Sequence, residues 1–305
     1  MGSSSEKAAL VGDMDVEAFR RLYPLQFYER YLNESVRPDA RPLGKARPTE
    51  LNLGVVRTAD GSAMAKIGKT TMLAGVKLEV MTPAAEAPDE GCIVTDFQMP
   101  PICSPHVRPG RSVDLAASVS EQLSNAFASS GVIDVKELLI SHGKAAWMAY
   151  LDIYCLDADG SLFDCALLSA IGALANLSLP SVSVTEDGKV IPASGGTVQE
   201  VESNKHAKVQ EQRQKLMLQN IPFSLTCMLY KKHLIADPTA EEESILQTMV
   251  IVVLDSSGRL VSFYKPGGST LASTSTVQDC IALTKYRVKE LQRVLDEALS
   301  EMEST

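Results

Sequence analysis

CLDADGSLFDCALLSAIGAL, residues 155–174, joins the end of a predicted strand to a long apolar run. Asp-Ala-Asp-Gly (157–160) is typical of a turn, and the apolar residues behind it continue for longer than an ordinary strand. The alanines of that run and its single glycine, Gly172, allow close packing on a sheet. The stretch therefore predicts a turn followed by a buried helix, after one or two strands over residues 135–157.

Alternating apolar residues predict more strands on the N-terminal side of this helix. LNLGVVRT, SAMAKIG and TTMLAGVKLEV are joined by Ala-Asp-Gly (59–61) and Gly-Lys (68–69) turns, which predicts a β-meander. Helical spacing behind an aspartate predicts a helix over 13–33, and the amphipathic, small-residue segment 113–130 predicts another. The proline-rich residues 82–113 are expected to form a long loop.

The succession of strands and a helix repeats in the C-terminal third. IPFSLTCMLY, KHLIAD, QTMVIVVLD and RLVSFYK predict four strands, and residues 275–302 predict a long closing helix. We therefore expect an α+β protein of two β-sheet/helix halves. The predicted segments are an N-terminal helix and basic arm (1–48), a first half (49–193), a polar insert or linker (194–216) and a second half (217–305).

The composition is that of a globular protein with an excess of acidic residues. The 305 residues carry a formal net charge of -9, which argues against coating by nucleic acid through bulk attraction but leaves room for a local basic path. The six cysteines are scattered without a C-x-x-C pair, so we expect reduced thiols and no metal site. No apolar run reaches about 18 residues, so nothing predicts a membrane span.

The Asp-Gly turn has several possible uses. A calcium loop counted from Asp157 needs a glutamate at its twelfth position, where this chain has a leucine, so that interpretation fails. Gly160 and Ser161 offer backbone amides to a phosphate at the helix start, but residues 161–178 contain no lysine or arginine. Asp164 suits the helix dipole and would repel a phosphate. From the residues alone, a turn with a helix cap is the preferred interpretation.

Other motifs keep chemical alternatives open. Residues 61–71 have the glycines and lysine of a nucleotide-binding loop, but six residues separate the glycines and a strand pattern follows, which favours a hairpin. The carboxylate cluster ADPTAEEES (236–244) suits a metal or acid–base chemistry, or a turn whose glutamates face water. The basic loops RPDARPLGKAR (37–47) and HVRPGR, which contains Arg108 and Arg111, either grip phosphates or are solvated charge.

Long blocks of the chain resemble the RNase PH-like subunits of the RNA exosome. RPDARPLGKARPTELNLGVVRTADGSAMAKIGKTTMLAGVKLEV (37–80) resembles the arm and meander of that family, and CLDADGSLFDCALLSAIGAL, LIADPTAEEE and YKPGGS resemble its later blocks. The resemblance covers about residues 25–300. It implies an RNase PH-like fold (ribosomal protein S5 domain 2-like) and membership of a six-subunit ring that threads single-stranded RNA through a central channel.

The chain departs from the active members of that family at the residues that carry the chemistry. Active members bind phosphate on a glycine-(Ser/Thr)-arginine turn at the helix start, and alignment on Ala-Asp-Gly puts the arginine place on Phe163. The implied vestigial phosphate site comprises Ser161, Leu162, Phe163 and Asp164. The aspartates of the second half fall near Asp237 and on Gln247, which cannot titrate, so the resemblance also implies a vestigial acid site.

These departures lead to the expected function. We expect a non-catalytic exosome ring subunit, without a cofactor or metal, that supports 3′-to-5′ RNA processing and degradation in the nucleus, nucleolus and cytoplasm. Its expected partners are other RNase PH-like ring subunits, S1/KH cap proteins, associated exoribonucleases and single-stranded RNA. Arg108 and Arg111 are the candidate RNA contacts, since their loop faces the channel in the family. The alternative is an active phosphate-dependent 3′–5′ exoribonuclease in which another base replaces the missing arginine.

Overall fold

The turn and helix predicted around residue 160 lie between two β-sheets. The computed structural model describes residues 16–105, 107–108, 114–184, 190–192, 213–246, 248–268 and 273–303. At the N-terminal end, residues 16–22 are helical and α1 (Pro24–Asn33) follows. The single helix predicted over 13–33 is therefore interrupted, because Pro24 has no backbone N–H to continue a helix and instead begins a new one.

The first sheet contains the predicted meander. Its strands in chain order are β1 (Thr49–Leu53), β2 (Gly61–Ile67), β3 (Thr70–Met81), β4 (Cys92–Gln98), β5 (Leu139–Ser141) and β6 (Ala145–Asp157). They lie in the order β1-β2-β3-β6-β4, with β5 also paired to β6. All neighbours are antiparallel except β4 and β6, which are parallel.

Strand β4 corrects the long loop predicted over residues 82–113. Its alternate residues, such as Phe97, point into the core, while the intervening ones are exposed or half-exposed. The strand is short and flanked by prolines, and among the described strands it pairs with β6 alone, which is reached by a parallel crossover through α2 (Asp114–Ser130). Local turn signals therefore hid a strand that depends on a distant partner.

Helix α3 (Leu162–Ala175) is the predicted buried helix. Every residue from Phe163 to Leu174 is buried, because the helix packs on β2 and β3 with one face and on the second sheet with another. Gly172 allows the close approach to the first sheet, since a Cβ there would lie 2.8 Å from the Cβ of Ala63. The predicted turn and helix are confirmed.

Four short strands follow α3. They are β7 (Ser178–Pro180), β8 (Val182–Val184), β9 (Val190–Pro192) and β10 (Arg213–Lys215). β7 pairs with β10 and β8 pairs with β9, each antiparallel. Most of the predicted polar insert, residues 194–212, lies outside the described residues.

The second sheet confirms the four strands predicted in the C-terminal third. Its elements are β11 (Pro222–Tyr230), β12 (His233–Ala236), α4 (Ala240–Ile245), β13 (Thr248–Asp255), β14 (Leu260–Tyr264) and α5 (Thr274–Glu303). The strands are antiparallel in the order β12-β11-β13-β14. The closing helix α5 packs on β1 of the first sheet and on β11 and β13 of the second, so it joins the two sheets beside α3.

Candidate functional site

The turn before α3 packs closely against the loop that follows β12. Gly160 has a φ of +76°, and a Cβ there would lie 2.4 Å from the carbonyl oxygen of Pro238. The hydroxyl of Thr70 donates to the Gly160 carbonyl at 2.7 Å and accepts from the Asp159 amide at 3.1 Å. Both the left-handed backbone and the close contact require glycine at this position.

The amide at the start of α3 is bonded to an internal carboxyl group. Ser161 is the N-cap residue, but its hydroxyl donates to the Pro238 carbonyl at 3.2 Å and does not cap the helix. The Ser161 amide donates to Oε1 of Glu243 at 2.8 Å. Burial raises the pKa of Glu243 to about 7. Because the start of a helix attracts anions, Glu243 takes the position that an external anion would need.

A cavity of about 100 Å³ opens in front of this amide. Its wall is mainly apolar and includes Leu162, Phe163 and Tyr264, with Ser161 and Glu243 at the helix start. Among the described residues that line it there is no lysine or arginine. The part of the lining that the structure describes therefore supplies no cation of the kind that phosphate binding at such a site draws on.

Asp164 lies in the first turn of α3, as predicted, and its side chain bonds to the second sheet. Its two carboxylate oxygens accept hydrogen bonds from the Ser224 hydroxyl and from the Thr226 amide, both at 2.6 Å. Burial raises the pKa of Asp164 to about 6, although the bonds from Ser224 and Thr226 act in the opposite direction. Asp164 faces strand β11 and not the free amides of its own helix, so it links α3 to the second sheet.

Asp237, at the predicted acid site, is engaged by the basic arm. Its backbone is left-handed, with a φ of +48°, and it accepts bonds from the Arg47 amide and guanidinium at 2.7–2.9 Å. The same guanidinium donates to the Asp159 carbonyl at 2.5 Å and so joins the two loops. Burial alone would raise the pKa of Asp237, but the bonds from Arg47 lower it to about 2.

The rest of the arm is also used internally. Arg37 is fully buried, and it forms an ion pair with Glu242 and donates to the Ala236 carbonyl at 2.7 Å. Glu242 in turn accepts from the Thr239 amide at 2.9 Å, which completes a capping box for α4. Both sequence interpretations of residues 37–47, phosphate grip and solvated charge, are therefore wrong for Arg37 and Arg47.

The carboxylate cluster at 236–244 likewise differs from its predicted turn. Glu242 is buried and Glu243 is half-buried, so neither is the fully solvated side chain that the predicted turn would present. Their partners come from Arg37 and from the start of α3, which a local sequence pattern cannot reveal. Among the described residues, no group of three or more histidine, cysteine, aspartate or glutamate side chains is arranged to hold a metal.

The remaining predicted site residues lie apart from this cluster or outside the described chain. Arg108 is exposed in the loop before α2. Arg111 and Gln247 fall outside the described residues. No helix in the described part of the chain is long and apolar enough to cross a membrane.

Sequence reasoning missed two residues that organise the site, Arg47 and Glu243. Arg47 lies 190 residues from Asp237, and Glu243 lies 82 residues from Ser161, so neither contact has a local signature. The signal that could have indicated these contacts is the charge and proline content of two segments. Two segments with opposite charge, 37–47 and 236–244, each held proline, which favours fixed loops that can pair.

Family comparisons match both halves of the chain. Residues 45–180 match domain 1 of the 3′ exoribonuclease family RNase PH, and residues 220–287 match its domain 2. The chain is 32% identical to the exosome complex component rrp43 of Schizosaccharomyces pombe, over 88% of this chain and 94% of that protein. It is 30% identical to the exosome complex component Rrp42 of Methanopyrus kandleri, over 85% of this chain and 90% of that protein.

Solved structures agree with these sequence matches. An Archaeoglobus fulgidus exosome with RNA bound to the active site includes a chain that superposes with a TM-score of 0.75 and 25% identity, covering 88% of this chain and 96% of that one. Rice Rrp46, at 17% identity and a TM-score of 0.63, covers 87% of this chain and all of that one, and shares the fold. The chain therefore belongs to the RNase PH family of 3′ exoribonucleases.

Proposed function

We propose that this protein is a non-catalytic ring subunit of an RNA exosome. It completes a ring of RNase PH-like subunits and supports 3′-to-5′ processing and degradation of RNA, including ribosomal RNA maturation and turnover of messenger and non-coding RNA. The proposal is supported by relatives that are exosome components and that the chain matches over most of their length. It is supported further by the chemistry at the start of α3.

One observation carries the non-catalytic part of the proposal. The Ser161 amide, where an anion would bind at the helix start, is bonded to Glu243, and the cavity in front of it is walled by Phe163. A phosphate would have to displace a carboxyl group and enter a site whose described lining residues include no lysine or arginine. With the Ser161 amide already bonded and no cation among the described lining residues, the transferred charge loses partners whose absence typically costs several kcal/mol in such reactions.

Asp237 does not provide an alternative acid. Its carboxylate is held by Arg47 with a pKa of about 2, so at neutral pH it is ionised and has no proton to donate. Its oxygens are occupied by the amide and guanidinium of Arg47. This arrangement suits a structural ion pair and does not suit a general acid.

In this role the protein acts with other chains. The proposed partners are neighbouring ring subunits, S1/KH cap proteins, associated exoribonucleases and single-stranded RNA, in the nucleus, nucleolus and cytoplasm. The exposed Arg108, with Arg111 three positions further along the sequence, is the proposed contact to RNA phosphates. Arg37 and Arg47 are bonded to internal carboxylates and are not free to bind RNA phosphates, which limits RNA binding by the isolated chain.

A phosphorolysis assay tests the catalytic part. The pure protein is incubated with 3′-extended labelled RNA and inorganic phosphate, with an active RNase PH-family enzyme as the positive control. We expect no nucleoside diphosphate from this chain. Release of nucleoside diphosphate that is lost in Asp237→Asn would establish the alternative, a phosphate-dependent exoribonuclease.

Assembly is tested separately by co-expression. The tagged protein is produced together with the RNase PH-family ring subunits encoded by the same organism, and the complex is sized by mass photometry. We expect a ring-sized complex that contains this chain. Recovery of this chain only as a monomer in the presence of all ring subunits would contradict ring membership.

A further inference from the structure

The first sheet has one face turned to the core and one that is open in the described part of the chain. Along β6, alternate residues are buried on the core side, while those between them are exposed or half-exposed. The open face across β3, β6 and β4 carries the residues Leu73, Val94, Tyr150 and Tyr154 around a central acidic pair. Helices α2, α3 and α5 pack elsewhere, on the core side or on the second sheet. We call this surface the open sheet face.

The acidic pair is Asp96 and Asp152, which stand directly opposite each other in the parallel ladder. Like charges at paired positions repel each other across neighbouring strands. Asp96 accepts a bond from Gln98 at 2.7 Å, but no lysine or arginine of the described chain forms an ion pair with either carboxylate. Partial burial raises the pKa of Asp152, and the charge of Asp96 raises it further. Lys77, opposite Tyr150 on the same face, is paired with Asp60 at 3.6 Å, so in the described chain the two carboxylates repel each other with no cation bonded to either.

The surroundings of the pair suit a docking surface. On its other side Asp152 faces Gly75, which has no side chain and whose open position has only Ala59 nearby, at 3.9 Å from a built Cβ. No side chain therefore stands on the sheet at the position beside the carboxylate. Val94 and Tyr154 on the same face are each 39% exposed, although Ile153 and Cys155, the neighbours of Tyr154 along β6, are fully buried. Aromatic side chains are enriched at the centre of protein interfaces, and a charge that is buried there needs a partner of opposite sign.

We propose that the open sheet face docks a different protein chain, which inserts an arginine or lysine between Asp96 and Asp152 and covers the surrounding apolar side chains. The inserted cation relieves the repulsion and gains charge-assisted hydrogen bonds within a desolvated patch. The identification of the occupant as a neighbouring exosome subunit rests on the proposed function. The face itself is argued from charge and exposure alone.

Charge excludes two other occupants. A second copy of this chain that used the same face would bring four carboxylates together, so a symmetric dimer through it is disfavoured. RNA would bring its phosphates against Asp96 and Asp152, which is unfavourable for the same reason. The formal net charge of -9 also favours a partner with a basic contact surface.

A native cysteine makes the proposal testable without labelling mutations. Cys92 lies on β4 at the same face, opposite Met148, and is half-exposed, whereas the other five cysteines are buried. We expect a maleimide to modify Cys92 quickly in the isolated full chain and at least tenfold more slowly in the complex with the co-expressed ring subunits. Slow modification of Cys92 in the isolated chain would overturn the proposal, since it would mean that the chain covers this face itself.

Charge reversal tests the contact directly. Asp152→Lys is expected to weaken assembly with the ring subunits at least tenfold, measured by titration of fluorescent protein, while Asp152→Asn weakens it less. The control, Asp296→Lys, reverses an exposed aspartate on α5 and is expected to assemble as the wild type does. Thermal melting of each isolated variant establishes that it folds, and Asp152→Asn is expected to melt no lower than the wild type because it removes a repulsion.

The outcomes separate this inference from the proposed function. If the chain joins the ring but Asp152→Lys assembles normally and Cys92 stays reactive, the docking face is wrong and ring membership stands. If the chain does not join the ring, ring membership is wrong. Self-association that Asp152→Lys abolishes would overturn the choice of a different chain as the occupant.

Discussion

Glu243 is expected to make the protein less stable as the pH rises, and its conversion to glutamine is expected to remove that effect. The Glu243 carboxyl accepts from the Ser161 amide at the start of α3 in a site where burial raises its pKa to about 7. Glutamine keeps an oxygen acceptor for that amide but carries no charge. The substitution therefore changes the electrostatic cost alone and leaves the hydrogen bond in place.

The sign follows from the direction of the pKa change. Because the folded-state pKa of Glu243, about 7, lies above the ordinary value of 4.5, the native state binds this proton more tightly than the unfolded chain does. The stabilisation is complete below about pH 4.5 and is lost as the pH rises through 7. The difference corresponds to about 3 kcal/mol of unfolding free energy, reduced to about 2 kcal/mol by solvent screening of a half-buried group.

Urea unfolding at pH 5 and pH 8.5 measures this difference. We expect Glu243→Gln to raise the unfolding free energy by about 2 kcal/mol at pH 8.5 and to change it by less than about 1 kcal/mol at pH 5. Asp164, whose pKa is raised to about 6, makes the unfolding free energy of the wild type and of the variant fall with rising pH by a smaller amount. The matched control is Glu241→Gln on the same helix, where the bond from Arg20 lowers the pKa, so no gain is expected at pH 8.5.

Two results would refute this reasoning. The first is a wild-type protein that is equally stable at pH 5 and pH 8.5, since the raised pKa values of Glu243 and Asp164 require its unfolding free energy to fall between these two pH values. The second is a Glu243→Gln variant no more stable than the wild type at pH 8.5. Either result would mean that the Glu243 carboxyl is solvated and does not occupy the helix start.

Three further outcomes are expected from the same cluster. Arg37→Met is expected to lower the unfolding free energy by about 3–5 kcal/mol because it leaves Glu242 buried and unpaired, and Arg37→Met with Glu242→Gln should recover much of that loss in a urea double-mutant cycle. Gly160→Ala is expected to lower the unfolding free energy by about 2 kcal/mol or more, and with it the melting temperature, because its Cβ would lie 2.4 Å from the Pro238 carbonyl oxygen. Phe163→Arg is expected to release no nucleoside diphosphate from labelled RNA, since the helix amide remains bonded to an internal carboxyl group.

The fold was largely predictable because its strongest signals are local. In β2 and β3 one face is buried along most of the strand, and α3 is buried on all sides. The alternation of the strands and the continuous apolar run of the helix therefore identify these elements. Strand β4 was missed because it is stabilised by a parallel partner, β6, that lies beyond an intervening helix. A strand of this kind has no hairpin turn to announce it.

The candidate site was much less predictable, because its contacts join distant segments. Arg37 and Glu242 are separated by 205 positions, and nothing in the local spacing of either residue indicates burial. A proline-rich basic segment has the same pattern whether its guanidinium groups face RNA phosphates or internal carboxylates. Only the pairing of the arm with the loop after β12 decides between these two environments.

That pairing also explains why the region persists in a chain for which we propose no catalysis. Arg47 bonds both the turn before α3 and the left-handed Asp237, and Asp164 bonds strand β11, so the same residues hold the first sheet against the second. Removing one partner leaves an uncompensated charge in a buried position, which is more costly than never having placed the pair there. Substitutions at this cluster should therefore lower stability and ring assembly together, and their effect on RNA turnover should follow from the amount of folded subunit.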